Sequence, residues 1–221
     1  MKISIFLFIL IITSIFSFNL RETKSQYYDS YVFAIQWPNG YCKVYGCEPL
    51  LDNMEPNIMN IHGLWPSLKS GKSLEACTSG VEIVEEDSKI FSDMRKYWPS
   101  FRGSNVEFWN HEYNKHGYCM AEEFNWDDYE DYFRFVITLY LKDYKYLIQK
   151  AFSDRDNREL YTITYEELQK RIRAIIPNAT FKINCSSGFI YEFYFYLEKD
   201  FTPSKSSSFA NKCQSGKLIF R

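Results

Sequence analysis

The sequence predicts a single secreted α+β domain, and three observations predict it. An apolar leader opens the chain, and the roughly 200 residues behind it run without linker, repeat or low-complexity tract. Short β-rich segments and amphipathic helices then mix without regular βαβ alternation, which favours a mainly antiparallel sheet flanked by helices.

In the leader, Lys2 supplies a short positive start, Ile3 to Phe18 are almost entirely apolar, and Arg21, Glu22 and Lys24 end the run. Residues 1–18 therefore read as a secretory signal, cleaved near Ser17. The run falls just short of the ~20 residues that a spanning helix needs. No second such stretch follows, so residues 19–221 are expected as one domain without membrane association. Six cysteines in a secreted chain point to three disulfides. Cys42 and Cys47 are close enough for a small local loop, and the sequence leaves the pairing open. Asn178-Ala-Thr180 and Asn184-Cys-Ser186 have the form of N-glycosylation acceptors.

The chain carries 26 basic and 28 acidic residues. Only Lys2 among them lies in the leader, so the mature domain keeps the acidic excess. That balance excludes a general basic coat for nucleic acid, and any polyanion must be held by a local site.

Tyr31 to Trp37 reads as a strand entering a turn at Pro38-Asn39-Gly40. Ile61 to Trp65 reads as a second strand, and Lys69 to Gly80 as a polar loop. A helix starts in Glu85-Glu86-Asp87 with Ile90, Phe91, Met94 and Trp98 as its apolar face, and Pro99 stops it. Ser104-Asn-Val-Glu107 has the capping-box pattern and opens a helix that Gly117 closes. Asn125 caps a long helix to about Phe152, with Tyr129, Tyr132, Phe133, Val136, Ile137, Tyr140, Leu141 and Tyr144 on one face. Thr164-Tyr-Glu-Glu167 opens another, closed by Pro177. Phe181 to Cys185, Phe189 to Leu197 and Leu218 to Phe220 complete the strands. The 18 Tyr and 19 Phe read mostly as core rings rather than a base-stacking surface.

All three histidines lie in two short segments, Asn60-Ile-His62-Gly-Leu-Trp-Pro66 and Glu107-Phe-Trp-Asn-His111-Glu112-Tyr-Asn-Lys115-His116-Gly-Tyr-Cys119. Histidine titrates between pH 5 and 8 and is the usual mover of protons. On a straight α-helix His111, Glu112, Lys115 and His116 fall at roughly 0°, 100°, 40° and 140°, within half the circumference, while Trp109 anchors the far side. A charge run usually forms a solvated face, but Phe108, Trp109, Tyr113 and Tyr118 make full exposure a poor fit. A zinc-protease helix needs its second histidine four residues after His111. Lys115 stands there, and its ammonium would repel a metal. No metal or other cofactor is expected.

Together, His62-Gly-Leu-Trp-Pro66 and Phe108-Trp-Asn-His111-Glu112-Tyr-Asn-Lys115-His116-Gly117 closely resemble the two active-site signatures of the ribonuclease T2 family, secreted or vacuolar endoribonucleases that work without metal at acid pH. Phe33-Ala-Ile-Gln36-Trp37-Pro38 matches that family's first strand, and the cysteine spacing fits across nearly the whole mature chain. The resemblance implies a ribonuclease T2-like fold and the pairs Cys42–Cys47, Cys77–Cys119 and Cys185–Cys213. It implies His116 as base, His62 as acid, His111 on the phosphate, and Glu112 and Lys115 supporting charge in the transition state. Trp65 would stack one base, and Gln36 and Phe108 would contact the second, with Ser104 and Asn105 nearby. Structurally these positions also read as core (Phe108) and helix cap (Ser104).

The departures are small. Tyr113 stands where the family often has Trp, Tyr118 where Thr is common, and Ser67 where many members carry Asp or Asn, which bears on base preference. The substrate implied is single-stranded RNA and not DNA, cut by a monomer in the secretory route, outside the cell or in a lysosome or vacuole. An acidic optimum is expected, because a slightly acidic protein binds RNA better once its histidines are protonated. The rivals are an inactive RNA-binding or signalling member of the same fold, a zinc hydrolase and a disulfide-rich structural protein. The intact histidine set argues against the first, the Lys115 spacing against the second and the histidine placement against the third.

Overall fold

The computed structural model describes residues 28–47, 58–70, 74, 77, 79–154, 161–205, 213 and 218–220. The expected signal, 1–18, lies outside them, as does part of the expected 69–80 loop. In chain order the elements are β1 (Ser30–Gln36), α1 (Pro38–Tyr45), β2 (Asn60–Ser67), α2 (Lys89–Tyr97) and α3 (Asn105–Glu112). One turn of π-helix (Tyr113–Gly117) follows, then α4 (Tyr118–Phe124), α5 (Tyr129–Asp143), α6 (Leu147–Ala151) and β3 (Tyr161–Ile163). The last are α7 (Tyr165–Ile175), β4 (Phe181–Ser186), β5 (Phe189–Glu198) and β6 (Leu218–Phe220). The strands form one six-stranded sheet in the order β2-β1-β5-β6-β3, with β4 also paired to β5. Only β5 and β6 run parallel. The predicted α+β class holds, and all three disulfides are formed as the resemblance implied.

Strand β1 is buried along its whole length, as its near-continuous apolar sequence requires. Its odd-numbered residues Phe33 and Ile35 pair in register with Phe195 and Phe193 of β5. Tyr144, just past the end of α5, packs edge-on against both Phe33 and Phe195, at 4.8 and 5.0 Å between ring centres. Helix α5 turns Tyr132, Phe133, Val136, Ile137 and Tyr140 inward. Two of those rings also have a polar end to satisfy: the Tyr132 hydroxyl donates to Leu64 O at 3.1 Å, and the Tyr140 hydroxyl donates to Met59 O. The even-numbered residues Gln36, Glu192 and Tyr194 point to the opposite face of the sheet.

Several boundaries differ from expectation. Pro38-Asn39-Gly40 opens α1 rather than a turn, because a proline at the first helical position loses no hydrogen bond and already has a helical φ. Helix α2 starts after the acidic run, at Ser88. The Ser104 side chain makes no capping bond, whereas Thr164 accepts from Glu167 N at 3.2 Å as predicted. Gly117 does not end its helix. Its φ of −65° is helical, and a Cβ there would lie 2.7 Å from Tyr132 and 2.8 Å from Tyr113, so this glycine serves close packing of α5. Asn125 closes α4 in the left-handed region, which Asn tolerates, and Asp128 caps α5 instead. The long helix breaks after Asp143 and resumes as α6, which leaves Leu141 exposed.

Gly40 presses α1 onto β5: a Cβ there would stand 1.7 Å from Ile190 O. Backbone cannot yield as a flexible side chain does. Gly40→Ala is expected to destabilise the protein by about 1–3 kcal/mol, read as a lower midpoint in urea denaturation.

Candidate active site

Strand β2 pairs with β1 through Ala34–Gly63 and then Ile35–Ile61, so His62 is the extra residue of a β-bulge. A bulge twists the strand and re-aims the side chain it carries. The His62 carbonyl accepts from Trp98 Nε1 at 2.7 Å, and the Trp98 carbonyl accepts from Trp109 Nε1 at 2.7 Å. Trp98 and Trp109 are fully buried. The two signature segments are therefore joined by a relay of indoles through the end of α2.

On the other segment the straight-helix angles need correction. Residues 113–117 form a π-turn, in which Tyr118 N bonds Tyr113 O. That wider turn departs from straight-helix spacing, and His116 is buried while His111 stays exposed.

Three groups surround the His62 ring. Glu192 Oε1 of β5 lies 2.5 Å from Nδ1, and Gln36 Nε2 lies 3.3 Å from the same nitrogen. On the far side Glu112 Oε1 stands 3.6 Å from Nε2. Glu112 is buried, and its second oxygen accepts from Trp65 Nε1 at 2.8 Å. Gly63 makes room for that bond, since a Cβ there would fall 2.1 Å from Glu112 Oε2. The Trp65 ring lies 5.0 Å from His62, 5.2 Å from His116 and 5.2 Å from Tyr194.

The electrostatics separate the histidines. Burial disfavours charge on His62, but its hydrogen bond to Glu192 and the charges of Glu112 and Glu192 prevail over burial and over Lys115. Its pKa is raised. Burial, then Lys115, His111 and His62, push His116 down to about 2. Burial, Lys115 and His62 also lower His111. For Glu112, burial outweighs His62, Trp65 and Lys115 and raises the carboxyl. For Glu192, burial is overcome by His62, Asn184 and Tyr194, which hold it below the usual carboxylate range.

Of the expected site residues, His62, Glu112 and Trp65 interlock directly, and His116 packs on Trp65. Lys115 and His111 are exposed beside them. Gln36 and Phe108 line a cavity of about 540 Å³ that reaches His62 and Glu192. Ser104 and Asn105 are not in its wall; Asn105 Oδ1 instead accepts from Ser100 N at 2.7 Å. Ser100 and Arg102 of the same loop line the cavity in their place. Ser67, in doubt for base preference, is buried with its hydroxyl on Trp65 O at 3.1 Å.

The sequence reading missed Glu192, Lys182 and the tyrosines 41, 45 and 191 of the same wall. The tyrosines of α1 were hidden by reading Pro38-Asn39-Gly40 as a turn. Glu192 had a signal: it is the one charge within the aromatic run from Phe189 to Leu197. Asn178 is exposed at a left-handed turn after α7. Asn184 donates to Glu192 Oε2 at 2.9 Å inside the cavity lining, where a glycan would compete with that bond. Among the described residues no group of three or more His, Cys, Asp or Glu is arranged to hold a metal ion.

This mainly antiparallel α+β domain holds one histidine between two carboxylates and buries another beside a lysine. The model of the ribonuclease T2 family matches residues 28–213, and the chain belongs to that family. Ribonuclease Rh of Rhizopus niveus is 32% identical over 82% of this chain and 77% of its own. Ribonuclease DdI of Dictyostelium discoideum is 33% identical over 54% of this chain, an alignment spanning 52% of that relative. The structure of RNase NT in complex with 5′-AMP matches with a TM-score of 0.67 at 26% identity, over 88% of this chain and 98% of that one. An RNase-related protein from Calystegia sepium shares the fold, with a TM-score of 0.70 at 21% identity over 88% of this chain and 98% of that one.

The lowered pKa of His116 makes stability depend on pH. Between about 2 and 6.5 the unfolded state holds a proton on this residue that the folded state does not. Stability therefore rises with pH through that window, by at most about 1.4 kcal/mol per unit from this group, and the contribution is complete above it. His116→Gln should flatten the rise between about pH 4 and 6, measured by urea denaturation at a series of pH values.

Proposed function

We propose that this protein is an endoribonuclease that cleaves single-stranded RNA by transphosphorylation. His116 takes the proton of the 2′-hydroxyl, and O2′ attacks the adjacent phosphorus. The P–O5′ bond breaks as His62 gives its proton to O5′, leaving a 2′,3′-cyclic phosphate and a 5′-hydroxyl. In a second step His62 takes a proton from water, the water oxygen attacks phosphorus, and His116 returns its proton to O2′. The products end in 3′-phosphate. DNA lacks the 2′-hydroxyl and is not cut.

The observation that carries this reading is the opposed pair of histidines: a base must be neutral and an acid protonated in one pH range, and His116 is lowered while His62 is raised. His111, Lys115 and Glu112 surround the same space and suit the charge that builds on the phosphorane. Phe108, 5.6 Å from the His62 ring, and Gln36 offer a stacking face and an amide to one base. Trp65 serves the other base with whatever of its partly buried ring stays open. Every step uses side chains of this one chain and neither metal nor cofactor. Entry to the secretory route, with delivery outside the cell or to a lysosome or vacuole, suits the leader and the three disulfides, and Asn178 is the better placed of the two glycosylation acceptors.

Incubated with RNA, DNA and casein at mildly acidic pH in EDTA, the protein should leave cyclic-phosphate ends on RNA alone. Cleavage abolished by EDTA, or absent, overturns the reading. His62→Ala and His116→Ala should each cost roughly 10²–10⁴-fold in kcat with the fold retained, and near-full activity in either removes that residue from its role. The pH profile should fall on the acid side as His116 gains a proton, below the ordinary imidazole range. On the alkaline side it should fall as His62 loses one, above that range, so that mildly acidic solution lies inside the active window. A maximum well above neutrality with no acid limb contradicts it.

A further inference from the structure

Glu192 is the residue of this site that neither signature segment contains. It sits on β5 directly opposite Gln36 of β1 on one side and Asn184 of β4 on the other. Directly opposed residues of neighbouring strands share a face, so an amide flanks the carboxylate on each side. Asn184 Nδ2 donates to Oε2 at 2.9 Å, Gln36 Nε2 donates to Oε1 at 3.4 Å, and Tyr194 adds a side-chain bond. The residue is 4% exposed. A carboxylate this deep costs several kcal/mol unless a positive partner and hydrogen bonds match it. The basic group against it is His62 Nδ1, at 2.5 Å.

We propose that Glu192 is a positioning residue for the acid, His62, an inference that rests on the function proposed above. Its carboxylate accepts the Nδ1 proton and fixes the ring about its axis, which leaves Nε2–H as the proton that can be delivered. As the P–O5′ bond breaks, the proton passes from Nε2 to O5′. The ring becomes neutral with Nδ1–H still on Glu192, and it regains the Nε2 proton from water in the second step. Glu192 never takes the proton itself, as with the buried aspartate behind the histidine of a serine protease. Glu112 cannot replace it: it lies on the Nε2 side, 3.6 Å away, with one oxygen held by Trp65.

The charged groups facing His62 come from two further elements. Glu112 of α3 favours its proton and Lys115 of the π-turn opposes it, while His111 of α3 and His116 of the π-turn, both lowered, face it as the weaker bases. Removing the Glu192 charge leaves Glu112 alone to offset burial and the Lys115 ammonium, so the acid should lose its proton at lower pH.

The test compares wild type, Glu192→Gln and Glu192→Asp on a dinucleoside phosphate and on a uridine 3′-aryl phosphate bearing a 4-nitrophenolate leaving group. That leaving group departs without needing a proton, so it bypasses the acid. Glu192→Gln should lose about 10²-fold or more in kcat on the dinucleotide, with KM little changed, and far less on the aryl ester. Its alkaline limb should move to lower pH. Glu192→Asp keeps the charge but not the reach. It should keep the limb near its wild-type position while showing a smaller form of the same contrast, so the test stands even where the Gln variant does not fold. Equal losses on both substrates, or an unmoved alkaline limb in folded Glu192→Gln, overturn the role. If wild type cleaves neither substrate, it is the proposed function that fails.

Discussion

Strand β1 has no solvent face, and the site depends on that constraint. Its neighbours are β2, which carries His62, and β5, which carries Glu192, so the distance between acid and carboxylate is set by two ladders that meet on one strand. The aromatic face formed by Phe33 and Phe195 against Tyr144 holds the register. A slip of one residue would turn every side chain to the other face and carry Glu192 into the apolar layer. Packing on one side of the sheet thus maintains the electrostatics on the other.

The second constraint is the matching of buried charge. Glu112 and Glu192 are both deeply buried, and each has a donor set that keeps it soluble in that setting: an indole and an imidazole for one, two amides, a phenol and the same imidazole for the other. Held between them, His62 keeps its proton. His116 is buried beside Lys115, with no carboxylate raising it among the described residues, and its pKa is lowered. In the proposed reaction this difference supplies an acid and a base at the same pH, which moving two protons in one displacement requires. The Trp98 relay makes the arrangement rigid, because it ties the bulged backbone of His62 to the helix that bears Glu112.

Much of this was legible from residue types alone. The β-rich, aromatic content of 31–37 and 189–197 marked two strands close to their observed bounds, and the histidine segments marked the candidate site. Helix ends were less legible. Gly117 and Asn125 were read through local propensity as an end and a beginning, but one glycine exists to admit Tyr132 and the asparagine closes α4. The capping signals split in the same way: Thr164 holds its bond and Ser104 does not. The cavity wall was legible for Gln36 and Phe108 and not for Ser104 and Asn105, because the loop from Ser100 to Gly103 presents Ser100 and Arg102 instead.

By itself, the sequence determined which reactive side chains are present and at what spacing, since these are properties of the chain: three histidines with Glu112 and Lys115 in two segments, and a Lys115 that rules against the zinc-protease pattern. Tertiary structure decided which histidine keeps its proton. That outcome depends on burial and on a carboxylate 130 residues away in sequence, brought to Nδ1 only by the pairing of β1 with both β2 and β5. Local pattern carries no record of such a contact, because a pKa is set by the groups within a few ångströms in space, whatever their distance along the chain.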